Sequence, residues 1–298
     1  MKFIYLFLNY LALGFLYFLS CLPIRVNHLI GDLLGTIASK LPIERTKVVE
    51  INLQKCFPEL SDQERATLAK KNWRLFGRSM TERAYFWVGS KRKIKELVTV
   101  QSDVPLNDGT PRLLVGIHLM GIEAGSIALS LYMSELGIKD PTTLYVKMKN
   151  SFFDIRIHQW RQRFGAKLLN RLHSTRELLR SVKSGHPVVI SPDMDLGLQD
   201  SIFVPFFGIQ TCTVTSVSRM AQLAKVEVCS FSTSLNPDGK SYTCHISKPW
   251  DNFPSGDVVK DTTRLNQHFE ALIRPRIEEY YWVHKRFKNR PDQQAKFY

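Results

Sequence analysis

Residues 3–22 contain no charged side chain, and Asn9 and Ser20 are their only clearly polar ones. As a helix such a run is about 30 Å long, the thickness of a bilayer's hydrocarbon core. Three readings compete. A cleaved signal peptide wants a stronger basic start than Lys2 and a small-x-small cleavage site, which Phe18-Leu19-Ser20 does not supply. A lipoprotein-type Cys21 is disfavoured because bulky Leu19 stands where a small residue is preferred. A buried core helix is the third. We read residues 1–23 as an uncleaved membrane anchor. Arg25, Lys40, Arg45 and Lys47 downstream outnumber Lys2 upstream, which orients the rest of the chain toward the cytoplasm.

Val26 to Ala38 is amphipathic and contains Gly31 and Gly35. It reads either as lying on the membrane surface or as packed on the main domain. Cys56-Phe57-Pro58-Glu59-Leu60 forms a turn, and Ser61-Asp62-Gln63-Glu64 is a capping box opening a helix to about Trp87. Lys91, Arg92, Lys93 and Lys95 follow as a basic run, either a solvated face or one turned to membrane or phosphate. Residues 24–99 thus form a helical, membrane-proximal section.

From Val100 strands and helices alternate. Strands are expected at 112–117, 142–147, 187–191, 226–233 and 241–247, and helices at 122–136, 152–164, 175–184, 214–224 and 258–279. Ser174-Thr175-Arg176-Glu177 reads as a second capping box. Asn236-Pro237-Asp238-Gly239 joins two of the strands as an antiparallel hairpin. The expected fold class is α/β, a mixed sheet flanked by helices, with residues 24–298 as one domain behind the anchor.

Of 298 residues 44% are hydrophobic, enough for a substantial core. The formal net charge of +14 favours anionic partners, such as an acidic membrane face, a phosphorylated lipid or an acidic carrier protein. The aromatics do not cluster in an RNA-binding motif, so nucleic acid is not expected. The five cysteines form no C-x-x-C pair, so neither a disulfide framework nor a zinc site is legible.

The run Arg112-Leu113-Leu114-Val115-Gly116-Ile117 reads as a strand buried on both faces, ending on His118. Gly121 permits a turn, and Glu123 falls in the first turn of the next helix. Five helical residues turn through about 500°, so the pair converges only if His118 precedes the helix. An ionised carboxylate on one imidazole nitrogen leaves the other free to accept a proton from a hydroxyl. The plainer reading is a strand-end histidine that caps the following helix. No Gly-x-Ser-x-Gly elbow or papain-like cysteine signature is present, which points to direct attack by a bound substrate hydroxyl.

Lys147 and Lys149 precede Asn150, and Arg156, Arg161, Arg163, Lys167 and Arg171 follow. They read as a solvated face or as contacts to phosphate or carboxylate. Asp193 and Asp195 close a predicted strand on the same sheet edge. They would orient an arginine or end the strand in a turn; with no third clustered ligand, neither a metal nor another cofactor is expected.

These residues come in an order that resembles the bacterial late (secondary) acyltransferases of lipid A biosynthesis, the lauroyl/myristoyl transferase group within the glycerolipid acyltransferase superfamily. The series is the anchor, Asn52-Leu53 with Cys56-Phe57-Pro58-Glu59, His118-x4-Glu123, and Tyr145 to Asn150 with Asp154. It continues through Arg161-x-Arg163-Phe164-Gly165, Pro192-Asp193-x-Asp195, Phe203 to Gly208 and Trp282-x-His284-Lys285-Arg286-Phe287-Lys288-x-Arg290-Pro291. The resemblance implies transfer of an acyl chain from acyl carrier protein to a hydroxyl of a hydroxyacyl chain on a lipid A precursor. It also implies a location at the cytoplasmic face of the inner membrane, on a bilayer with anionic lipid. His118 and Glu123 would be catalytic, with Glu123 orienting the imidazole. Lys147, Lys149, Asn150, Arg161, Arg163, Asp193 and Asp195 would bind substrate, Arg163 ahead of Arg161 at an anionic group. Val146 stands where many members have Arg and Ser151 where they have Pro, leaving Lys147 or Lys149 to supply that charge. The alternatives are an acyltransferase for a lysophospholipid or glycolipid, and a non-catalytic protein that binds anionic lipid at the membrane surface.

Overall fold

The strand at Arg112–Gly116 is buried along its whole length. Leu113, Leu114 and Val115 leave it no polar face, so it must be covered on both sides. In the computed structural model, which describes residues 2–171, 175–292 and 294–298, it is the central strand of a seven-stranded sheet.

The chain begins with α1 (Lys2–Cys21), α2 (Ile24–Lys40), α3 (Glu44–Cys56), α4 (Asp62–Val88) and α5 (Lys91–Leu97). Then come β1 (Val98–Ser102), β2 (Arg112–Gly116), α6 (Ile122–Glu135), β3 (Thr142–Tyr145), α7 (Ser151–Gln162), β4 (Lys167–Asn170), α8 (Thr175–Lys183) and β5 (Val188–Ile190). After β6 (Ser201–Phe206), β7 (Ile209–Val214) and α9 (Ser216–Ala224), the chain closes with β8 (Glu227–Leu235), β9 (Tyr242–Pro249), α10 (Val258–Ile273) and a 3-10 stretch, Arg274–Glu279. The sheet order is β1-β9-β8-β2-β5-β3-β4, with every pairing parallel except β8 with β9. That antiparallel pair is the hairpin expected around Asn236.

Four strands were not anticipated. Val98–Ser102 and Lys167–Asn170 are short, carry few apolar residues and stand at the two sheet edges. Ser201–Phe206 contains Pro205, which cannot donate to a ladder; it pairs with Ile209–Val214 in a two-stranded sheet apart from the main one. The helix expected over 258–279 gives way after Ile273, where Pro275 enters a 3-10 stretch and Arg276 leaves helical geometry. The capping box at Ser61 forms as read, with Glu64 returning to the Ser61 backbone. The one read at Ser174 lies outside the described residues.

α2 packs on the domain by one face, as one of its two readings expected, and leaves the other face apolar and exposed. Its inner face crosses α4 at glycines: a Cβ on Gly77 would stand 2.1 Å from the Gly31 oxygen, and one on Gly35 would stand 2.1 Å from the Trp73 oxygen. Its outer face leaves Val26, Leu29, Leu33, Leu34 and Ile37 exposed. α1 is long and apolar enough to cross a membrane, and Phe3, Phe7, Leu11 and Phe18 are exposed on it. The buried-core-helix reading of residues 3–22 is thereby excluded.

The C-terminal segment is pinned to the helices by two buried asparagines. Asn52 donates to the Trp282 and His284 oxygens at 2.7 and 2.8 Å, and Asn72 to those of Glu278 and Tyr280 at 2.8 and 2.7 Å. The pinned segment lies against the loop after β2: Met120 N–H donates to the Glu279 oxygen at 2.7 Å, and Leu119 pairs with Tyr280.

Candidate active site

β2 and β5 are parallel neighbours, so their C-terminal ends open on one edge of the sheet. His118 leaves that edge from β2 and Asp193 leaves it from β5. Asp193 is fully buried and holds the histidine twice. One carboxylate oxygen accepts the His118 backbone N–H at 2.9 Å, and the other meets ring Nδ1 at 2.6 Å. On the far side, the His118 oxygen accepts from Tyr281 N–H at 3.0 Å. Burial alone would raise the acid, but the charge of His118 and its two hydrogen bonds hold it below the usual carboxylate range. An ionised carboxylate only accepts, so Nδ1 carries a proton, and whenever the ring is neutral the lone pair is on Nε2. Nε2 has no protein partner among the described residues, and the side chain keeps 26% of its surface open. That is the arrangement of a general base.

Glu123 does not hold His118. Its Oε1 accepts from Trp87 Nε1 at 2.7 Å and Arg161 Nε at 2.9 Å, while Oε2 accepts from Arg161 Nη2. No hydrogen bond joins it to His118 among the described residues. The expected pairing is therefore corrected: the imidazole takes the acid offered by the adjacent parallel strand. Glu123, in the first turn of α6, is instead captured by α4 and α7. Burial would raise Glu123, but Arg161 above all, with help from Arg83 and Trp87, lowers it to about 2.

The other expected residues separate. Arg161 reaches the site; Arg163 turns away, donating to the Gly89 oxygen at 2.8 Å and lying over the Phe164 ring. The preference for Arg163 over Arg161 is reversed, because position 161 still faces α4 and α6 from the last turn of α7, whereas 163 has passed the helix end. Asn150 caps α7, accepting from Phe152 and Phe153 N–H, and its amide also engages Tyr5 and Asn9 of α1. Those bonds occupy the group that was expected to bind substrate. Lys147 and Lys149 are exposed on the loop before it. Asp195 is a strut: it accepts from Gly197 N–H, Asn289 N–H and Asn289 Nδ2. The two acids of Pro192-Asp193-x-Asp195 thus do different work.

Arg286 went unassigned in the sequence reading. It is buried, donates to the Cys212 oxygen at 2.7 Å and Thr213 Oγ1 at 2.9 Å, and its charge also lowers Asp193. His284, two residues earlier, is pushed down to about 4 by burial and by Arg286, so at neutral pH its uncharged Nε2 accepts from Asp195 N–H at 3.0 Å. The run Trp282-x-His284-x-Arg286 was the signal for both. Burial raises the Cys229 and Cys244 thiols to about 11 and 12, so neither is a ready thiolate. Among the described residues, no three His, Cys, Asp or Glu side chains stand close enough to hold a metal ion.

Residues 2–289 match the family described as bacterial lipid A biosynthesis acyltransferase. The chain is 29% identical to the lipid A biosynthesis lauroyltransferase of Escherichia coli, over 96% of this chain and 92% of that one. It is 30% identical to a lipid A biosynthesis acyltransferase of Haemophilus influenzae, over 92% and 88%. With the lipid A biosynthesis myristoyltransferase of Escherichia coli the identity is 26%, over 86% and 79%.

Proposed function

We propose that this chain, which belongs to the bacterial lipid A biosynthesis acyltransferase family, moves an acyl group from an acyl carrier protein thioester to a hydroxyl of a hydroxyacyl chain on a lipid A precursor. The observation that carries the mechanism is the His118–Asp193 pair with its free Nε2. The acceptor hydroxyl gives its proton to Nε2 as its oxygen attacks the thioester carbon. The tetrahedral intermediate then collapses, the C–S bond breaks, and the leaving thiolate takes that proton back from the imidazolium. Asp193 fixes the ring and stabilises its charged form; general-base help of this kind is worth about 10²–10⁴ in rate. Glu123 acts on the other wall, holding Arg161 and Trp87 in place beside the reacting groups.

The net charge of +14 suits an acidic carrier and a phosphorylated acceptor alike. The exposed apolar side chains of α1 and the outer face of α2 support residues 1–23 as an anchor, with residues 24–298 as the catalytic domain on the cytoplasmic face of the inner membrane. The test is turnover by the purified full-length protein, given acyl carrier protein thioesters and a choice of lipid A precursor or lysophosphatidate. Product on the first acceptor, abolished in His118→Ala, is the expected result. Product on lysophosphatidate alone, no product at all, or wild-type turnover by a folded His118→Ala protein refutes it.

A further inference from the structure

Arg83 lies on α4, one turn before Trp87, and the mechanism above gives it nothing to do. Its Nε is sealed from solvent and has no acceptor. Among the described residues the guanidinium makes no hydrogen bond or ion pair. It rests over the Trp87 ring at 5.6 Å, and that indole is in turn stacked on Trp160 at 5.4 Å and donates to Glu123. Its charge is close enough to interact with Glu123, Arg161 and Tyr281. Tyr281 in turn stands 6.4 Å from the His118 ring, centre to centre, and donates its N–H to the His118 oxygen. Arg83 therefore borders the space between His118 and Glu123.

Arg83 is half-buried, but its sealed Nε is an unmet donor, which is costly, and such groups are normally satisfied by something. No resting group here does so. Both oxygens of Glu123 are taken by Arg161 and Trp87; Arg163 keeps unmet Nε and Nη2 donors of its own but is tied through Nη1 to the Gly89 oxygen, whereas Arg83 donates to nothing among the described residues. An anion that exists only during the reaction would leave Arg83 in this condition between turnovers. We propose that Arg83 is a catalytic residue that stabilises the negative charge formed on the thioester carbonyl oxygen when the acceptor hydroxyl attacks. As the new C–O bond forms, the carbonyl π pair moves onto oxygen beside the guanidinium. It returns to carbon when the C–S bond breaks and the thiolate leaves. Arg161 supports the same wall but is anchored by its fork on Glu123.

The assignment rests on the acyl-transfer reading, so the experiment separates the two. Steady-state constants are measured for wild type, Arg83→Met, Arg83→Gln, Arg83→Lys and His118→Ala with an acyl carrier protein thioester and a lipid A precursor, alongside thermal unfolding of each. Loss of one donor to a developing oxyanion costs about 10²–10³ in kcat. The Met and Gln variants are expected to show that loss, with KM for both substrates within about threefold of wild type. Lys should recover at least about tenfold of it. If the Met and Gln proteins fail to fold, the Lys variant decides: kcat about fivefold or more below wild type at unchanged KM supports the proposal, since an ammonium lacks the guanidinium fork. A raised acceptor KM with preserved kcat would mean a ground-state contact to the substrate's phosphate and overturns it, as does wild-type activity in a folded Arg83→Met or Arg83→Gln protein or, if neither folds, in Arg83→Lys. Wild-type activity in His118→Ala with a lowered kcat in Arg83→Met sinks the general-base reading while leaving the oxyanion role standing.

Discussion

Asp193 reaches His118 with both oxygens, one on the ring and one on the backbone N–H, so displacing the carboxylate costs two hydrogen bonds at once. Asp193→Asn keeps the shape but removes the charge that favours the Nδ1–H tautomer. We expect kcat to fall about 10²–10⁴-fold in steady-state assays, with KM little changed. Glu123 predicts a different response. Its folded-state pKa of about 2 lies below the ordinary 4.5, so ionised Glu123 contributes stability that is complete above about pH 4.5 and is lost as pH falls toward 2. In thermal unfolding across that window, Glu123→Gln should show a shallower pH dependence than wild type, together with lower stability at pH 7, where Arg161 would be left unpaired.

Among the elements, the α2–α4 crossing is held by close backbone contact and the C-terminal segment by the Asn52 and Asn72 hydrogen bonds. The crossing is backbone against backbone, so a methyl on Gly77 has no flexible side chain to push aside. Gly77→Ala should cost about 1–3 kcal/mol or more in unfolding free energy as α2 lifts from α4. A variant as stable as wild type would show that the helices can separate without penalty. The C-terminal segment depends on His284 staying neutral. With its pKa lowered from 6.5 to about 4, protonation opposes the folded state, so its contribution is full above pH 6.5 and is lost as pH falls toward 4. His268, also held at about 4 by burial and Arg264, adds to the same decline. The fall in Tm between pH 6.5 and 4 should therefore be shallower in His284→Gln than in wild type.

At the scale of the whole molecule, much of the exposed apolar surface lies on α1 and the outer face of α2, while the proposed base, His118, follows β2 at the edge of the sheet. The proposed membrane attachment would thus have two sources. Deleting residues 2–21 should release only part of the protein from the membrane fraction, because Val26, Leu29, Leu33, Leu34 and Ile37 remain exposed on α2. Complete release on ultracentrifugation would assign attachment to α1 alone. If the proposed carrier and acceptor are the substrates, raising the salt should slow turnover, since a charge of +14 acts through long-range attraction that ions screen.

The amino-acid sequence by itself determined the elements whose reasons are local. The apolar run makes α1, Ser61 and Glu64 open α4, the Leu-Leu-Val core of β2 demands cover on both faces, and Asn236 to Gly239 turns the hairpin. It also placed His118 and Glu123 correctly on a strand end and a first helical turn, and the order of its motifs named the family. Which acid meets the histidine was decided only by the tertiary structure. Spacing along the chain favoured Glu123, five residues away, over Asp193, which is 75 residues away. Parallel pairing of β2 with β5 erases that separation, while α4 and α7 bring Trp87 and Arg161 to claim Glu123. Arg83, with no motif around it, became visible only through a sealed Nε that lacks an acceptor. Local chemistry is written in neighbours along the chain; the partners of a charge are set by which strands and helices the fold brings side by side.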